Sequence, residues 1–508
     1  VCETLLGADD HGRPQPALAQ RWKVSADGLA WHFTLRPGAR FHDGSRATAA
    51  VVVQSLQRAQ KAPALLSNAP IASITAEGDA EVLIRLSRPH NALAAQLAHY
   101  STLVLAPGSL GADGKVQRII GSGPYRIGPV RFGKDITYVR DPHYWAKDLP
   151  VRVGTFNFDR VEINIYKDNT AKLEALKAGE FDVMRFFSAG DWARRVNGKK
   201  FNSGELVKGE FAHQLPTGFQ SYVLNTRKPH LQDVRVRQAL GLALDYEWMN
   251  RQMFYGAYQR VNGIFGHTPC ETTGLPTPAE QQLLAPYAHD LPPGTLGPMT
   301  VPPNTNPPGS LRANLLQARA LLQQAGWTVQ GGVLRNAQGQ ALELEYLDSN
   351  EGGLRVVAPW QRNLEKLGIR LRYRAVDFAL YQQRLQKFDF DITSIAYQGT
   401  NNPGQELADL FGSQAADQED SGNFPGVKNP AVDALIDKIV TARTQDELLP
   451  ACHALERVIA HGHYLIPQWY ASTHRMAYNA WRLAMPSVLP PYSTGEDWVL
   501  QTWWSKKQ

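Results

Sequence analysis

The stretch LELEYLDSNEGGLRVVAPWQRNLEKLGIRLRYRAVDFALYQQRLQKFDFDITSIA, residues 342–396, decides the fold of this chain. Apolar and polar residues alternate over three parts of it, as in half-buried strands, and the parts between them have apolar residues at helical spacing. In order, the stretch predicts a strand over 342–347, a helix over 354–367, a strand over 369–374, a helix over 378–386 and a strand over 388–396. Strands that alternate with helices in this way predict an open α/β sheet.

The same alternation continues on both sides of this stretch. Strands are predicted over 161–166, 181–184 and 222–226, and helices over 430–442 and 447–461. The helical segment between the first two strands ends at Gly179, so these strands form a predicted βαβ unit with parallel strands. Residues 286–308 contain eight prolines. We expect this insertion to be irregular and exposed, because proline fixes φ and lacks an N–H donor.

Composition narrows the classes of function. Of 508 residues, 43% are hydrophobic and 20% are charged, which is the balance of a globular protein and excludes intrinsic disorder. Lysine and arginine (53) exceed aspartate and glutamate (47) by 6, and the basic residues are scattered, so we expect no nucleic acid as a partner. No apolar run of about 18 residues occurs, so the sequence predicts no membrane-spanning helix.

Residue types used in enzyme chemistry are present without the spacing that a catalytic site needs. No nucleophile elbow, phosphate-binding loop or zinc-protease motif occurs. The best metal candidates are Cys452, His453, His461 and His463. Only His453 and His461 among them share a helix face, and zinc sites need tighter spacing and a third ligand. We therefore expect no metal and no other cofactor.

The predicted elements form two α/β lobes joined by two crossings, near 225–230 and 470–478. An open α/β sheet binds ligands at the carboxyl ends of its strands, and two such sheets facing each other form a cleft that closes by hinge motion. Aromatic residues lie at several predicted strand ends, namely Tyr222, Tyr397, Trp469 and Tyr470. Because Tyr and Trp combine apolar area with a polar group, we interpret them as a pocket wall for a ligand of mixed polarity.

Short motifs along the whole chain indicate a family. They are ETLL (3–6), LAQRW (18–22), WHFTLRPG (31–38), FHDG (41–44), GSGPY (121–125), DPHYW (141–145), LEALKAGEFD (173–182), DVRVRQAL (233–240) and AGW (325–327). With them the chain resembles the bacterial extracellular solute-binding proteins of family 5, which serve peptide ABC transporters. Further motifs are DYEWMN (245–250), FYGAY (254–258), SQAAD (413–417), GVKNPAVD (426–433) and GHYLIPQW (462–469). They resemble the Yej-type branch, which takes up oligopeptides and peptide–nucleotide antibiotics of the microcin C kind.

The resemblance implies a fold and its domains. The fold is a periplasmic-binding-protein-like clamshell of type II, an α/β protein with mixed and parallel sheets, in the large form with three subdomains. Residues 1–24, 150–225 and 476–508 are expected to form the core of lobe I, residues 25–149 its insertion subdomain, and residues 226–475 lobe II. The resemblance further implies a monomer without enzymatic activity.

The resemblance also implies a ligand site. In peptide-binding relatives an extended ligand lies between the lobes, and its main chain pairs with strand edges. Carried over position by position, the expected ligand contacts are Glu3, Leu5, Tyr222, Asn225, Tyr397, Gln398, Asn401, Trp469 and Tyr470. An aspartate after the strand equivalent to 391–396 holds the peptide amino group in those relatives, but the segment 395–403 here contains no acid. Glu406, Glu3 or water are the alternatives for that amino group, or the ligands need no free amino terminus.

The expected function is capture of oligopeptides or peptide conjugates and their delivery to the inner-membrane permease subunits of an ABC importer. The same receptor role for an oligosaccharide or an opine is an open alternative, because of the aromatic wall and the absent acid. A hydrolase is a remote alternative. It would use Asp389 and Asp391, which share one face of a predicted strand, or the late histidines.

The compartment follows from the resemblance as well. It implies a periplasmic location in a Gram-negative bacterium, with a signal peptide upstream of Val1 and a further N-terminal strand missing from this chain. Cys2, Cys270 and Cys452 allow three single pairings, and the sequence does not decide among them. A bridge between Cys270 and Cys452 would fall within the second lobe, where an oxidising periplasm would permit it.

Overall fold

The computed structural model describes residues 1–9, 11–61, 66, 69–111 and 115–506, and the chain in it divides into two compact units. Unit 1 comprises Val1–Leu215 and Thr473–Gln508, and unit 2 comprises Pro216–Ser472. The units therefore meet along the chain at 215/216 and 472/473, whereas the sequence places these boundaries at 225/226 and 475/476. The separate subdomain over 25–149 stays a prediction.

Unit 1 contains small antiparallel sheets. Its strands are β1 (Leu6–Ala8), β2 (Pro14–Pro16), β3 (Ala19–Val24), β4 (Ala30–Leu35), β5 (Ile71–Glu77), β6 (Glu81–Leu86), β7 (Tyr125–Arg131), β8 (Asp135–Arg140), β9 (Arg160–Asn164), β10 (Val183–Phe186), β11 (Leu206–Ala212), β21 (Thr473–Asn479), β22 (Leu483–Ala484) and β23 (Trp504–Ser505). Among the described residues they form sheets of order β3-β4-β6-β5, β7-β8-β9 and β10-β21-β11, with pairs β1-β2 and β22-β23.

The helices of unit 1 cover these sheets. They are α1 (Ala49–Lys61), α2 (Leu93–Ala98), α3 (Asn169–Ala178), α4 (Ala189–Arg194), α5 (Lys199–Asn202) and α15 (Gly495–Thr502). Helix α1 buries Val52, Leu56 and Ala59 in one hydrophobic cluster with Phe33 and Ile84 of the four-stranded sheet. Their spacing of three to four residues places them on one helix face, which is why this segment forms an amphipathic helix.

The predicted βαβ unit over 161–184 is wrong in its strand pairing. Helix α3 is present, capped by Asp168 at its start and by Gly179 (φ 87°) at its end. However, β9 pairs with β8, and β10 pairs antiparallel with β21. The local pattern identified the elements correctly, but the partner of β10 comes from the far end of the chain, where no local pattern can reveal it.

Unit 2 is an α/β body around one mixed sheet. Its strands are β12 (Phe219–Leu224), β13 (Gln259–Arg260), β14 (Thr328–Gln330), β15 (Val333–Arg335), β16 (Glu343–Asp348), β17 (Arg370–Ala375), β18 (Ile392–Tyr397), β19 (Leu465–Pro467) and β20 (Trp469–Tyr470). Its helices are α6 (Val234–Leu242), α7 (Tyr246–Met253), α8 (Pro278–Leu284), α9 (Leu311–Gln324), α10 (Leu354–Glu365), α11 (Phe378–Gln386), α12 (Glu406–Phe411), α13 (Pro430–Thr441) and α14 (Gln445–His461).

The main sheet of unit 2 has the order β17-β16-β18-β12-β19. Strand β16 runs parallel to β17 and β18, and β12 runs antiparallel to β18 and β19. Successive side chains of a strand point to opposite faces, so Val223 joins one hydrophobic cluster with α13 and α14, while Tyr222 and Leu224 join a second with α6 and α10. The sheet is thus covered on both faces, and the predicted α/β fold class is confirmed.

The stretch 342–396 folds largely as its pattern predicts. Helix α11 has the predicted bounds, and β16, β17 and α10 differ from their predicted bounds by one or two residues. The last strand, β18, begins at Ile392 instead of 388, because Phe388 has a positive φ of 53° and the chain turns there. Such a conformation interrupts an extended strand.

The proline-rich insertion is irregular, as its sequence predicts, and the structure shows a cysteine pairing that the sequence leaves open. Within 286–308, regular structure is limited to the end of a 3₁₀ turn (Ala285–Tyr287), although Thr295 is buried. Cys270 and Cys452 form a disulfide that joins the segment before α8 to α14. Over the described residues, no helix has both the length and the apolar character needed to cross a membrane.

Candidate functional site

Glu3 and Leu5, the predicted ligand contacts of unit 1, lie in its interior. The Leu5 side chain is fully buried in the hydrophobic core. The Glu3 carboxylate is also buried; it accepts a hydrogen bond from the Tyr144 hydroxyl and lies 3.5 Å from the Arg152 guanidinium. Both residues therefore have structural roles, and contact of either with a ligand stays a prediction.

Tyr222 and Asn225 have structural roles in unit 2. The Tyr222 ring is buried and stacks on Trp360 at a centroid distance of 4.8 Å. The Asn225 side-chain amide is fully buried and donates hydrogen bonds to the backbone carbonyls of Phe388 (2.9 Å) and Phe390 (2.8 Å). These bonds tie the turn before β18 to the end of β12.

Tyr397, Gln398 and Asn401 lie at the end of β18 and in the loop that follows it. The Tyr397 ring packs on Phe411 at 6.1 Å, and its hydroxyl donates to the backbone carbonyl of Gly422 at 3.4 Å. Burial raises the pKa of Tyr397 above its usual value, so the hydroxyl stays a donor. Gln398 is exposed and Asn401 is half-buried.

Glu406 is the first residue of α12. Its carboxylate accepts a hydrogen bond from the backbone N–H of Gly404 at 2.9 Å. Burial raises the pKa of Glu406, although backbone hydrogen bonds act in the opposite direction. The carboxylate is thus already engaged by a backbone N–H, and contact of Glu406 with the amino group of a ligand stays a prediction.

Trp469 and Tyr470 form β20, which pairs with Gln259 and Arg260 of β13. The Trp469 ring lies 4.7 Å from that of Phe254. The Tyr470 hydroxyl lies 2.7 Å from Oε1 of Gln259, to which it donates, and 3.0 Å from Nε2 of His267. This short strand pair thus holds an aromatic residue and a polar hydroxyl at fixed positions.

The four predicted wall aromatics divide between the two faces of the main sheet. Tyr397 and Tyr470 pack against the cluster that contains α13 and α14, whereas Tyr222 and Trp469 belong to the cluster that contains α6 and α10. These four residues therefore do not form a single aromatic wall within unit 2.

Unit 2 contains a cavity of about 430 Å³ that no pattern in the sequence predicts. It is lined by residues of α6, α9, β12, β19 and the end of α14, and by the segments 260–264 and 299–303. Its lining includes Arg260, whose guanidinium nitrogens expose less than 1 Å² each and have no hydrogen-bond partner.

Burial shifts the pKa of three groups that line this cavity away from the usual value of each. It lowers the pKa of Arg260 to about 10. It raises the pKa of Glu456 to about 7, although the backbone N–H groups of Thr272 and Phe265 donate to that carboxylate and act in the opposite direction. It lowers the pKa of His463 to about 4, with smaller contributions from the charges of His461 and Arg237.

Comparisons with known proteins agree with this fold. Residues 13–419 match the family model described as bacterial extracellular solute-binding proteins, family 5 middle. The chain is 33% identical to a probable peptide-binding protein YejA of Agrobacterium fabrum, over 100% of this chain and 85% of that protein.

Two solved structures show the same fold at 19% identity. NikA of Brucella suis, in complex with Fe(III)-EDTA, has a TM-score of 0.73 over 96% of this chain and 91% of that one. The oligopeptide-binding protein AppA of Bacillus subtilis, in complex with a nonapeptide, has a TM-score of 0.71 over 100% and 93%. The role is that of a substrate-binding protein of an ABC importer. The chain belongs to family 5 of the bacterial extracellular solute-binding proteins.

Proposed function

We propose that the solute of this binding protein is an oligopeptide or a peptide conjugate. In this proposal the chain acts in the periplasm as a monomer and passes its ligand to the permease subunits of the importer. The observation that supports it most strongly is the 33% identity, over the whole chain, to a relative whose name describes a probable peptide-binding protein.

The groups available around β18 and β20 suit a peptide. The exposed Gln398 offers both an amide N–H donor and a carbonyl acceptor, which is what a peptide main chain needs for pairing. Tyr470 adds ring area together with a hydroxyl that is already oriented by Gln259 and His267. Such mixed groups hold a backbone firmly while they discriminate little among side chains.

How the protein holds the amino terminus of the ligand is the least specified part of this proposal. The segment 395–403 has no acid, and the Glu406 carboxylate is half-buried and already accepts the backbone N–H of Gly404. We therefore propose that recognition does not depend on a free ammonium group. Peptides whose amino terminus is blocked or conjugated would then bind about as well as free ones.

Binding without turnover is part of the proposal. The pair that a hydrolase would use, Asp389 and Asp391, is already engaged. Asp391 accepts the backbone N–H of Glu345 at 2.8 Å, and Asp389 accepts a hydrogen bond from Arg384 at 2.9 Å. Burial acts to raise the pKa of Asp391, but the His230 imidazole, 3.4 Å away, and the hydrogen bond from the backbone N–H of Glu345 lower it. A carboxyl group held ionised by such partners does not act as a general acid.

The identity of the ligand is tested by mass spectrometry of the protein purified from a periplasm. Peptide masses released on denaturation are the expected result, and a saturating peptide pool should raise the melting temperature because it binds only the folded state. An oligosaccharide or opine mass, with no thermal shift by peptides, would overturn the proposal. Recovery of the ligand as cleaved fragments after incubation would overturn its non-enzymatic part.

A matched pair of variants tests the residues. Gln398→Ala should weaken peptide affinity by about fivefold, the value of one hydrogen bond. Gln338→Ala removes the same exposed side chain from a distant turn and should leave affinity unchanged. Equal affinities for the two variants would remove Gln398 from the proposed site.

A further inference from the structure

Arg260 is the anomalous residue of the cavity in unit 2. The residue as a whole is half-buried, but Nε, Nη1 and Nη2 each expose less than 1 Å² and have no hydrogen-bond partner. A guanidinium group carries five N–H donors, and leaving such donors buried and unpaired destabilises a fold. Sites of this kind in a native protein require an explanation.

The surroundings of Arg260 compensate its charge only in part. Its guanidinium lies 5.0 Å from the centre of the Tyr246 ring, which is a favourable but modest cation–π contact. The carboxylate that most favours its charged form belongs to Glu247, whose own hydrogen bonds come from Thr305. Tyr222, which also interacts electrostatically with Arg260, has a buried hydroxyl without a partner.

Arg237, which lines the same cavity, shows how this fold treats a structural arginine. Its guanidinium donates to the backbone carbonyls of Gly462 (2.7 and 2.9 Å), Leu231 (2.8 Å) and Gln232 (2.8 Å). The fold therefore does supply carbonyl acceptors for a buried guanidinium at this cavity, and it supplies none for Arg260. This difference indicates that the partner of Arg260 is not among the residues that the structure describes.

We propose that this cavity binds a small organic oxyanion, a carboxylate or a phosphate ester, whose charged group pairs with Arg260. Guanidinium recognises both groups through two parallel hydrogen bonds. Arg260 lines the cavity, but its guanidinium nitrogens are buried, so the proposal requires that the side chain rotate about its bonds to bring them to the occupant.

The remaining lining defines the body of this molecule. Ile264, Met299, Val301, Ile459 and Leu465 give the cavity a largely apolar wall, which favours an aliphatic or aromatic group. The volume of about 430 Å³ lies within the range of small-molecule sites and below that needed for a long peptide. Glu456 is only partly ionised near pH 7, because burial raises its pKa to about 7, and this reduces its repulsion of an anion.

The test uses hexanoate, phenyl phosphate and neutral hexanamide as probes, titrated calorimetrically into the full chain. Hexanoate or phenyl phosphate should bind, and hexanamide should bind at least about tenfold more weakly than hexanoate. Which anion binds more tightly distinguishes a carboxylate from a phosphate ester as the natural group. Absence of binding by both anions at about 10 mM would overturn the proposal.

Variants show whether the anions bind in this cavity. Arg260→Met should weaken anion binding by about tenfold or more, whereas Arg312→Met, at an exposed position of α9, should have no effect. Val301→Trp enlarges an exposed side chain of the cavity wall and should also abolish binding, which keeps the test valid if Arg260→Met fails to fold. Anion binding that survives both variants would overturn the proposal.

A measurement of peptide binding distinguishes this cavity from the proposed solute site. A peptide that stabilises the wild-type chain should bind Arg260→Met with unchanged affinity. Loss of peptide binding in Arg260→Met, without anion binding by the wild type, would assign the cavity to the solute site and overturn the second site alone.

Discussion

Two arginines of unit 2 are buried in opposite ways. Arg457, on α14, has no exposed side-chain area, and its Nε donates to the Glu280 carboxylate at 2.7 Å. Its other nitrogens donate to the backbone carbonyls of Gly274 (3.1 Å) and Gly297 (3.3 Å). The guanidinium of Arg260 is equally hidden and has no hydrogen-bond partner.

Burial alone therefore does not show that a charged side chain stabilises the fold. An arginine with a carboxylate and carbonyl partners connects pieces of the chain, here α14 with α8 and the insertion after it. An arginine that is buried without partners raises the energy of the fold and is retained for some other reason. Mutations that remove each guanidinium should therefore have very different consequences for stability.

The largest effect is expected for Arg457→Met. The substitution leaves the buried Glu280 carboxylate without its guanidinium, and removal of one partner from a buried ion pair costs about 3–5 kcal/mol. Urea denaturation should show this loss in the free energy of unfolding. Arg312→Met, at an exposed position, is the control and should stay within about 0.5 kcal/mol of the wild type. A loss for Arg457→Met no larger than that of the control would contradict the structural role.

The next effect concerns the disulfide beside Arg457. Cys452 lies on α14, and Cys270 lies just before Thr273 and Gly274, whose carbonyls accept from Arg457. The bridge spans 182 residues, and its removal in the double variant Cys270→Ala, Cys452→Ala should cost about 2–4 kcal/mol. The wild-type chain under reducing conditions should unfold at the same urea concentration as this variant. Indifference of the wild type to reductant would show that the thiols are free in solution.

Much of unit 2 could be predicted because its signals are local. The alternation over 342–396 depends on side chains that face one hydrophobic cluster or the other, so each strand and helix is visible in its own residues. Strand β10 shows the limit of prediction from local residues. Its sequence predicts a strand, but its pairing with β21 depends on residues near the other end of the chain.

The candidate sites were predicted less well, for a related reason. Trp469 and Tyr470 are predicted as ligand contacts because aromatic residues at strand ends are conspicuous in a sequence, and this stays a prediction. Arg260 is not predicted, because an arginine in an irregular segment resembles a solvated surface charge. Its burial results from packing against Tyr246, on a helix, and from pairing of its backbone with Trp469, about 200 residues later. Tertiary contacts of this kind leave no periodic signal.

Glu456, the neighbour of Arg457 on α14, should make the stability depend on pH. Its folded-state pKa of about 7 lies above the usual 4.5 because of burial, so the folded state holds this proton more tightly than the unfolded state. The stabilisation by this group is therefore complete below about pH 4.5 and is lost as the pH rises through 7. The loss amounts to about 3 kcal/mol at most.

The measurement compares the wild type with Glu456→Gln at several pH values. His463 acts in the opposite direction, because its lowered pKa of about 4 makes its contribution fall as the pH drops below 6.5. Both proteins contain His463, so its effect cancels in the difference between them. Relative to the wild type, the variant should become more stable as the pH rises from 5 to 8. A difference independent of pH would show that Glu456 is ionised throughout.

The smallest effect on the free energy of unfolding is expected for Arg260→Met, the counterpart of Arg457→Met. The methionine keeps most of the apolar stem and removes a charge that has no hydrogen bond to lose. Replacement of buried charges by apolar groups is often neutral or stabilising, so the free energy of unfolding should fall by less than about 1 kcal/mol, or rise. The same urea experiment serves as the measurement. A loss as large as that of Arg457→Met would mean that Arg260 has a structural partner in solution, and the reason for placing an anion beside it would disappear. A neutral or stabilising result would instead show that the chain retains at this cavity wall a charge that its own stability does not require.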